Sequence, residues 1–328
     1  MRILMWDVHG GYTDSLLAGD HEYVFLPPDE SGRGGLARYA GSPPASAREV
    51  SAEELRDEPP DLVLLQRLEE IELCRDQISR TPGVALPAIF LEHNTPKADV
   101  PNTRHPLAET PGITIVHVTH FNQLFWDCGG APTRVIEHGV ADPGLRYTGE
   151  LGRLAYVVNE PVRRWRVAGT DLVRRFTGFD IDAYGIDGHL LPAALRPTEA
   201  RVRFAGNLSP ADLAAELVRR RVYLHLNRWT SLGLSLITAM MLGMPVVVLE
   251  ATEAARAVPP DAGARSTDIA ELVAAARLLL SDRDEAARRG RNARRAARER
   301  YGLNRFLADW DAAFADVGEL VPVSSRHR

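Results

Sequence analysis

Short, continuous apolar runs recur along the first half of the chain and alternate with segments of helical periodicity. Such runs are typical of strands buried on both faces, and their alternation with helices is typical of a parallel sheet with crossover helices. The pattern predicts strands at residues 3–6, 23–26, 62–65, 88–91, 114–118 and 134–136. It also predicts a capping box of Ser51 and Glu54 before a short helix, a helix over residues 68–79, and a loop over residues 27–44.

The second half repeats this pattern after a boundary at residues 141–152, where Asp-Pro-Gly and further glycines interrupt the periodicity. The predicted strands are residues 154–158, 181–184, 202–204, 223–226 and 246–249. The predicted helices are residues 162–176, a helix from Ser209 with Pro210 in its first turn, and residues 268–280, 283–300 and 303–314. In the last helix, Phe306, Trp310 and Phe314 recur at helical spacing, which predicts a docked terminal helix.

The length and composition of the chain indicate how many domains it forms. A chain of 328 residues with 45% hydrophobic content exceeds one compact domain, so we expect two α/β domains at residues 1–145 and 150–300. A helix at residues 301–316 is expected to pack back across them. The two cysteines, Cys74 and Cys128, are too few for a disulfide framework and fit a reducing compartment.

The net charge of -5 and the pI near 6.1 give no overall attraction to nucleic acid or to an anionic membrane. The arginine-rich stretch at residues 283–300 allows a nucleic-acid role, but a solvated helix face is the more usual reason for such a run. The sequence shows no signal-like N-terminus and no apolar run of membrane-spanning length. We therefore expect a cytoplasmic protein without a transmembrane segment and without a nucleic-acid partner.

The segment at residues 227–248 carries the clearest candidate chemistry. A predicted strand ends in a polar turn containing Gly233, a helix opens over residues 231–236, and Gly243-Met244-Pro245 leads into the next strand. This arrangement places backbone N–H groups and a helix N-terminus at the carboxyl edge of a parallel sheet, where open α/β folds bind phosphates. Taken alone, the same pattern also occurs in α/β proteins where it has a purely structural role and binds no phosphate.

This segment resembles the acidic signature of glycosyltransferase family 4, E-G-F-G-L-x-x-x-E-A-M-x-x-G-x-P-V-V. The matching positions are Gly233, Leu234, Ala239, Met240, Gly243, Pro245, Val246 and Val247. Weaker motifs agree in order: the Gly10-Gly11 turn after the first strand, residues 136–140 resembling I-x-N-G-V, and Phe204-Ala205-Gly206 followed by Ser209. The resemblance implies a GT-B fold, with two Rossmann-like domains whose parallel sheets face each other across a cleft.

The chain departs from that signature at both acidic positions, with Thr230 in place of the first glutamate and Thr238 in place of the second. The resemblance implies that these positions contact the donor sugar and the nucleotide ribose. A threonine replaces a charged acceptor by a shorter neutral one, and the loss of a charge-assisted hydrogen bond weakens binding by roughly 1.5 to 3 kcal/mol. Reduced affinity is therefore expected.

The family also places basic residues beside the diphosphate and a histidine near the donor sugar or acceptor. Arg163 falls at the arginine position if Gly169 aligns with the family glycine, and Ala168 then replaces the lysine. Alternatively, Arg163, Arg164 and Arg166 lie on a solvated helix face. His93, after the strand at residues 88–91, occupies the place of the histidine, although an isolated histidine is as often structural. His117 and His120 point to different faces, so no metal site is predicted.

The predicted function is transfer of a sugar from a nucleotide-sugar donor to an unidentified hydroxyl acceptor, with retention of anomeric configuration and without a metal or other cofactor. The predicted catalytic residues are His93, Arg163 and Thr230. The predicted donor-binding residues are Gly10, Gly11, Arg164, Gly206, Asn227, Ser231, Leu232, Gly233, Leu234, Ser235 and Thr238. A homodimer is compatible with this reading.

Three alternatives remain open from the sequence. The two threonines suggest a sugar-nucleotide or glycan-binding protein of the same fold without turnover. A GT-B-fold sugar-nucleotide epimerase would need acid and base groups, for which Glu92 and His93 are the candidates. A dinucleotide-dependent oxidoreductase is disfavoured because Gly10-Gly11 lacks the G-x-G-x-x-G pattern.

Overall fold

The computed structural model describes residues 1–28 and 35–320, which fold into two compact units. Among the described residues, the N-terminal unit comprises residues 1–28, 35–139 and 303–320, and the C-terminal unit comprises Val140–Gly302. The chain therefore leaves the first unit after Gly139 and returns to it at Leu303. The sequence predicts a loop at residues 27–44. Of these, residues 29–34 lie outside the described residues.

The N-terminal unit contains a seven-stranded parallel sheet with strand order β3-β2-β1-β4-β5-β6-β7. Its strands are β1 (Arg2–Met5), β2 (Glu22–Phe25), β3 (Ala47–Glu49), β4 (Leu62–Leu65), β5 (Ala88–Glu92), β6 (Ile113–His117) and β7 (Thr133–Val135). Its helices are α1 (Gly10–Leu16), α2 (Ala52–Asp57), α3 (Glu69–Ile78) and α4 (His120–Phe125). The order reverses between β1 and β4, which makes the carboxyl ends of these two strands the switch point.

The C-terminal unit contains a six-stranded parallel sheet with strand order β10-β9-β8-β11-β12-β13. Its strands are β8 (Leu151–Val157), β9 (Asp180–Tyr184), β10 (Arg201–Gly206), β11 (Arg220–His225), β12 (Val246–Leu249) and β13 (Gly263–Ser266). Its helices are α5 (Leu191–Ala194), α6 (Pro210–Leu217), α7 (Leu234–Met241), α8 (Ala254–Ala257), α9 (Ile269–Ser281) and α10 (Arg283–Tyr301). Here the switch point lies between β8 and β11.

The last helix, α11 (Leu303–Leu320), belongs to the N-terminal unit. Phe306, Trp310 and Phe314 are buried in the same core cluster as β1 and β2, which confirms the docked helix predicted from their spacing. The indole Nε1 of Trp310 donates to the hydroxyl of Tyr12 at 3.1 Å. This contact fixes α11 against α1.

All eleven predicted strands are present, and β4 and β12 have the predicted bounds. Both are buried along their whole length, as expected of central strands in a covered parallel sheet. The capping box is confirmed, since the Ser51 side chain accepts from the Glu54 amide. The Ser209 cap is confirmed in the same way, with Pro210 at the start of α6.

Three local predictions are wrong. The predicted helix at residues 162–176 is a series of turns followed by a 3-10 helix at Thr170–Arg175, because Gly169 takes a left-handed φ of 69° between them. The predicted turn at Gly10-Gly11 is the first part of helix α1. Helix α7 begins at Leu234, not within the preceding turn at Ser231.

The arginine-rich helix α10 buries Ala286, Gly290, Ala293, Ala297 and Tyr301 on one face and carries ion-paired arginines on its outer face. On the outer face, Arg288 pairs with Glu285, Arg295 with Asp261 and Arg298 with Asp142, and these three arginine side chains are at least half exposed. These contacts fit the solvated helix face considered from the sequence. The described part of the chain contains no helix that is both long and apolar enough to cross a bilayer.

Candidate functional site

The C-terminal unit brings two loops together at its switch point. One loop follows β8 and contains Gly169, and the other follows β11 and runs from Leu226 to the start of α7. The backbone of Gly169 lies against the carbonyl group of Leu226, where a Cβ atom would collide. The amides of Arg228 and Trp229 both donate to the carbonyl of Val167, at 2.9 and 3.1 Å. The two loops therefore form one backbone-linked layer at the carboxyl ends of β8 and β11.

The N-terminus of α7 presents unused backbone donors to this layer. Gly233 is the N-cap residue, with extended φ and ψ of -75° and 127°, and it offers no side chain to cap the helix. Within residues 1–28 and 35–320, the amides of Gly233, Leu234 and Ser235 donate no hydrogen bond. Such N–H groups carry the positive end of the helix dipole and form an anion-binding site.

Three polar side chains of the same segment have no hydrogen-bond partner among the described residues. Asn227, Thr230 and Thr238 are half-buried, and their side chains make no hydrogen bond to any described residue. Since half-buried polar groups are normally hydrogen-bonded, these three have capacity for a polar ligand or for water. Thr238 lies one helical turn beyond Leu234 on α7, so its hydroxyl belongs to the same helix as the donor amides.

The other predicted residues of this segment support the backbone. Leu232 is buried in the core cluster beneath α7, and the carbonyl of Ser231 accepts from the Thr252 hydroxyl at 3.3 Å. The Ser235 hydroxyl accepts from the hydroxyl of Tyr223, a buried residue of β11, at 2.9 Å. Burial lowers the pKa of His225, the last residue of β11, to about 4, so this imidazole is neutral near pH 7.

The two predicted arginines differ in their surroundings. Arg163 is exposed and forms a surface ion pair with Glu160, with Nε and Oε1 at 2.6 Å. Arg164 is half-buried, and its guanidinium group has no hydrogen bond or ion pair with any described residue. Burial lowers the pKa of Arg164, which means that its charge is poorly compensated. The geometry thus favours Arg164 over Arg163 as the residue available to an anion.

Gly206 does not join this group through any observed contact. It ends the edge strand β10 with a φ of 134°, and β9 and β8 separate that strand from β11 in the sheet. Its carbonyl accepts from the Gly185 amide at 3.1 Å. A role for Gly206 in donor binding stays a prediction.

The N-terminal unit has its own polar cluster at the carboxyl edge of its sheet. His93 directly follows β5 and is half-buried, with Nε2 at 3.0 Å from the Oε1 atom of Gln66. Its ring centroid lies 4.0 Å from that of His9 and 4.9 Å from that of Tyr12. Burial, followed by the neighbouring His9 and His138, holds the pKa of His93 well below its ordinary value. His93 is therefore a neutral imidazole near pH 7.

Gly10 and Gly11 lie beside this cluster as the first two residues of α1. The carbonyl of Gly10 accepts from Arg38 Nη2 at 3.2 Å, and the Arg38 guanidinium pairs with Asp7 at 2.6 Å. The approach to Gly10 is thus occupied on one side by Arg38.

Sequence reasoning missed His9, Tyr12 and Gln66 as neighbours of His93. A signal was present for His9, because it directly precedes the Gly10-Gly11 pair in the segment after the first strand. Gln66 likewise follows directly on the apolar run of β4. Their grouping depends on β4 lying between β1 and β5, which is a property of the strand order. Among residues 1–28 and 35–320, no three acidic, histidine or cysteine side chains are grouped to hold a metal ion.

Comparison with known proteins agrees with this architecture. Residues 191–296 match the sequence profile of the family described as "Glycosyl transferases group 1". This segment includes β11, the loop after it and α7, so it covers the amide cluster. No curated protein matches the sequence significantly.

Solved structures match over nearly the whole chain. Sucrose-phosphate synthase from Thermosynechococcus elongatus has a TM-score of 0.70 and 13% identity, covering 98% of this chain and 100% of its own. HepE from Anabaena in complex with UDP-glucose has a TM-score of 0.70 and 14% identity, covering 96% and 100%. A glycosyltransferase from Rickettsia africae has a TM-score of 0.69 and 13% identity, covering 96% and 98%. These matches confirm the predicted GT-B fold with two Rossmann-like domains.

Proposed function

We propose that this chain is a glycosyltransferase that moves a sugar from a nucleotide-sugar donor to an acceptor hydroxyl. The observation that carries the proposal is the row of unused amides at Gly233, Leu234 and Ser235, at the switch point of the second sheet. A nucleoside diphosphate is the anion that such a site in a Rossmann-like unit most often takes. The match of this segment to a glycosyltransferase profile supports the same ligand.

In this proposal, the diphosphate lies on the α7 amides and Arg164 supplies the opposing charge. Arg164 is preferred to Arg163 because Glu160 already neutralises Arg163. The hydroxyls of Thr230 and Thr238 take the place of the family glutamates toward the sugar and the ribose. Preorganised donors of this kind stabilise the charge that develops on the leaving diphosphate, which is the main catalytic contribution expected here.

The reaction we propose retains the anomeric configuration and needs no metal ion. The acceptor hydroxyl attacks the anomeric carbon from the face that the diphosphate leaves, and the bond from that carbon to the phosphate oxygen breaks. The hydroxyl proton passes to the departing phosphate oxygen, so no side-chain base is required. The protein contributes positioning and electrostatic stabilisation.

A second candidate is a protein that binds nucleotide sugars without turnover. The pair Thr230 and Thr238 favours it, because both positions lack the carboxylate that the family signature carries. Neutral hydroxyls form weaker hydrogen bonds than carboxylates do. Measuring binding and product release on the same preparation separates the two candidates.

The sharpest test removes one amide donor and leaves the helix in place. Proline is well tolerated at the first position of a helix, where it deletes an N–H group, and the extended ψ of Gly233 suits the residue before a proline. We expect Leu234→Pro to bind UDP, GDP or ADP at least about tenfold more weakly than Leu234→Ala, since both lose the leucine side chain. Calorimetric titration measures the affinities, starting with UDP because HepE binds it.

A matched pair controls for the effect of proline itself. Ile269 occupies the first position of α9, where Asp268 is the N-cap residue, and Ile269→Pro compared with Ile269→Ala makes the same change elsewhere. Nucleotide affinity should not differ within this control pair. Equal affinities of the two Leu234 variants would contradict the proposed diphosphate site. Release of nucleoside diphosphate from UDP-glucose, GDP-mannose or ADP-glucose would then decide between transfer and binding alone.

A further inference from the structure

Three polar side chains of the C-terminal unit converge on the Cα atom of Gly233, the N-cap residue of α7. The φ and ψ of Gly233, -75° and 127°, are open to any residue, so the backbone conformation does not require glycine here. An added Cβ atom would lie 3.2 Å from Cε1 of His225, 3.5 Å from Oγ of Ser235 and 3.7 Å from Nδ2 of Asn227. These are the three nearest heavy atoms beyond the adjoining residues. We call this space, with its three side chains, the Gly233 cradle.

The side chain of His225 has no hydrogen-bond partner in this cradle. His225 is the last residue of β11 and is 5% exposed, and it makes no hydrogen bond to any residue within 1–28 and 35–320. Its ring nitrogens are nevertheless not among the fully enclosed unpaired atoms of that part of the chain, so a ligand can reach them. Because Cε1 is bonded to both nitrogens, the edge of the ring that faces Gly233 is its polar edge. A buried polar group without a partner is unusual and indicates a ligand that supplies one.

Every side chain of the Gly233 cradle can donate a hydrogen bond. Burial lowers the pKa of His225 to about 4, so near pH 7 its ring is neutral and carries one N–H group. The Ser235 oxygen accepts from the hydroxyl of Tyr223 at 2.9 Å, which leaves its own hydrogen to donate. The Asn227 amide carries an NH₂ group and has no hydrogen bond to a described residue. None of these groups is a carboxylate.

This set of donors indicates the chemical class of the ligand. The side chains of the cradle add to the unused amides at the start of α7, so donors outnumber acceptors there. The oxygens of a phosphate group only accept hydrogen bonds, and their tetrahedral arrangement lets them meet donors from several directions. A sugar hydroxyl brings a hydrogen of its own and would leave some of these donors unpaired. The cradle therefore fits a phosphate group better than a sugar.

We propose that His225 contacts a phosphate group directly, and that this phosphate lies in the Gly233 cradle. The ring N–H of His225 donates to one phosphate oxygen, while Asn227 and the α7 amides donate to others. That the phosphate belongs to a nucleotide sugar rests on the proposed function, whereas the contact itself needs only the anion. In the proposed transfer, the His225 N–H also stabilises the charge that develops on the leaving diphosphate.

Replacing His225 by phenylalanine tests the contact and keeps a ring in the core. His225→Phe removes both ring nitrogens, so UDP should bind at least about tenfold more weakly in calorimetric titration, as expected for a lost hydrogen bond to an ionised group. His225→Gln keeps an N–H group and should retain more of the affinity. His117→Phe is the matched control, because His117 is another buried neutral imidazole with a pKa of about 4, at the end of β6. It should leave UDP affinity unchanged.

Gly233→Ala tests the space itself. The backbone accepts alanine, but the methyl group occupies the position that we assign to the phosphate, so UDP should bind at least about tenfold more weakly. Gly130→Ala is the control, since Gly130 has no left-handed φ and no heavy atom within 4 Å of an added Cβ. It should bind UDP as the wild type does. Wild-type affinity in Gly233→Ala would show that the phosphate does not lie in the cradle.

Histidine ring spectra of the wild type test the contact without a substitution. With ¹⁵N-labelled histidine, and with His225→Gln to assign the signals, UDP or inorganic pyrophosphate should shift the ring nitrogens of His225 and slow the exchange of its N–H proton. The signals of His117 should not move. Unchanged His225 signals at saturating UDP overturn the proposal, and so does a His225→Phe variant that binds UDP as tightly as the wild type.

The outcomes separate this proposal from the proposed function. If pyrophosphate binds and shifts the His225 signals but no nucleotide binds, the phosphate contact stands and the proposed transferase function fails. If UDP binds without any effect on His225, the proposed function stands and the phosphate contact of His225 is overturned. If neither pyrophosphate nor UDP binds the wild type, both proposals fail.

Discussion

Arg228 and Asp171 form a two-pronged ion pair in which Nη1 and Nη2 each lie 3.1 Å from one carboxylate oxygen. Arg228 follows β11, and Asp171 lies beyond the turns that follow β8. Arg228 also donates to the carbonyl of Arg166, so one guanidinium group contacts the second loop at two points. The pair therefore holds together the two loops that form the proposed diphosphate site.

Breaking this pair should affect nucleotide binding more than folding. Both side chains are about one quarter exposed, so we expect Asp171→Asn to lower the free energy of unfolding by only about 1 kcal/mol. The loosened loop should weaken UDP binding by about fivefold to tenfold, since mispositioned donors lose much of their effect. Calorimetric titration and urea unfolding measure the two quantities.

A second ion pair of the same unit provides the comparison for Asp171. Asp180 and Arg201 join neighbouring strands at the opposite end of the sheet from the loops, with Nε and Oδ1 at 2.7 Å. Asp180→Asn should leave UDP affinity unchanged. If Asp171→Asn also leaves it unchanged, the ion pair does not support the site.

Gly169 is expected to be irreplaceable because two constraints coincide there. Its φ of 69° is left-handed, and a Cβ atom would collide with the carbonyl of Leu226. Gly178 has a similar φ of 79° with no heavy atom within 4 Å of an added Cβ. We expect Gly178→Ala to cost about 1 to 2 kcal/mol of unfolding free energy, and Gly169→Ala at least about 3 kcal/mol. Equal costs in urea unfolding would show that the two loops can separate freely.

The sequence predicted the central strands well because burial on both faces leaves an uninterrupted apolar run, as in β4 and β12. It missed β3 (Ala47–Glu49) and β13 (Gly263–Ser266), which carry no β-branched or aromatic side chain and form strands by pairing with β2 and β12. The predicted helix at residues 162–176 was wrong for a similar reason. The conformation of Gly169 is set by its approach to Leu226, which is distant in sequence.

The sequence predicts the parts of the candidate site whose residues are consecutive. It does not predict the parts whose residues come from separate strands. The amides at the start of α7 follow one another in sequence, so the strand, turn and helix pattern reveals them. By contrast, His9, Gln66 and His93 meet only because β4 lies between β1 and β5 in the sheet. The preference for Arg164 over Arg163 likewise depends on burial and on the ion pair with Glu160.

Buried histidines, among them His117 and His225, should make the fold sensitive to mild acid. Burial lowers the pKa of His117 and of His225 to about 4, from an ordinary value of 6.5. Above pH 6.5 these histidines are neutral in both the folded and the unfolded chain, so they do not reduce the free energy of unfolding. As the pH falls from 6.5 toward 4, only the unfolded chain binds these protons, so each histidine removes up to about 3 kcal/mol of stability.

Substituting one of these histidines tests the predicted loss of stability at low pH. The unfolding free energy of the wild type should fall steadily between pH 7 and pH 4.5 in urea titrations, and His225→Gln should flatten this dependence. His189→Gln, at an exposed position, should leave the pH dependence as it is. A His225→Gln variant with the wild-type slope would mean that His225 is accessible to protons in the folded protein.

Thr238 should show its role through the ribose of the nucleotide. Its hydroxyl is half-buried and has no hydrogen bond within the described residues, so Thr238→Val should change the unfolding free energy by less than about 0.5 kcal/mol. If the hydroxyl contacts the ribose, the variant should bind UDP about fivefold more weakly, matching the loss of one neutral hydrogen bond of about 1 kcal/mol. The wild type should lose the same affinity, about fivefold, when the UDP lacks the contacted ribose hydroxyl, and the variant should bind both nucleotides equally.

The two losses of affinity should not add, since removing either partner deletes the same hydrogen bond. Losses that add, or a variant that still prefers UDP to its deoxy forms by the full wild-type factor, would place the ribose away from Thr238.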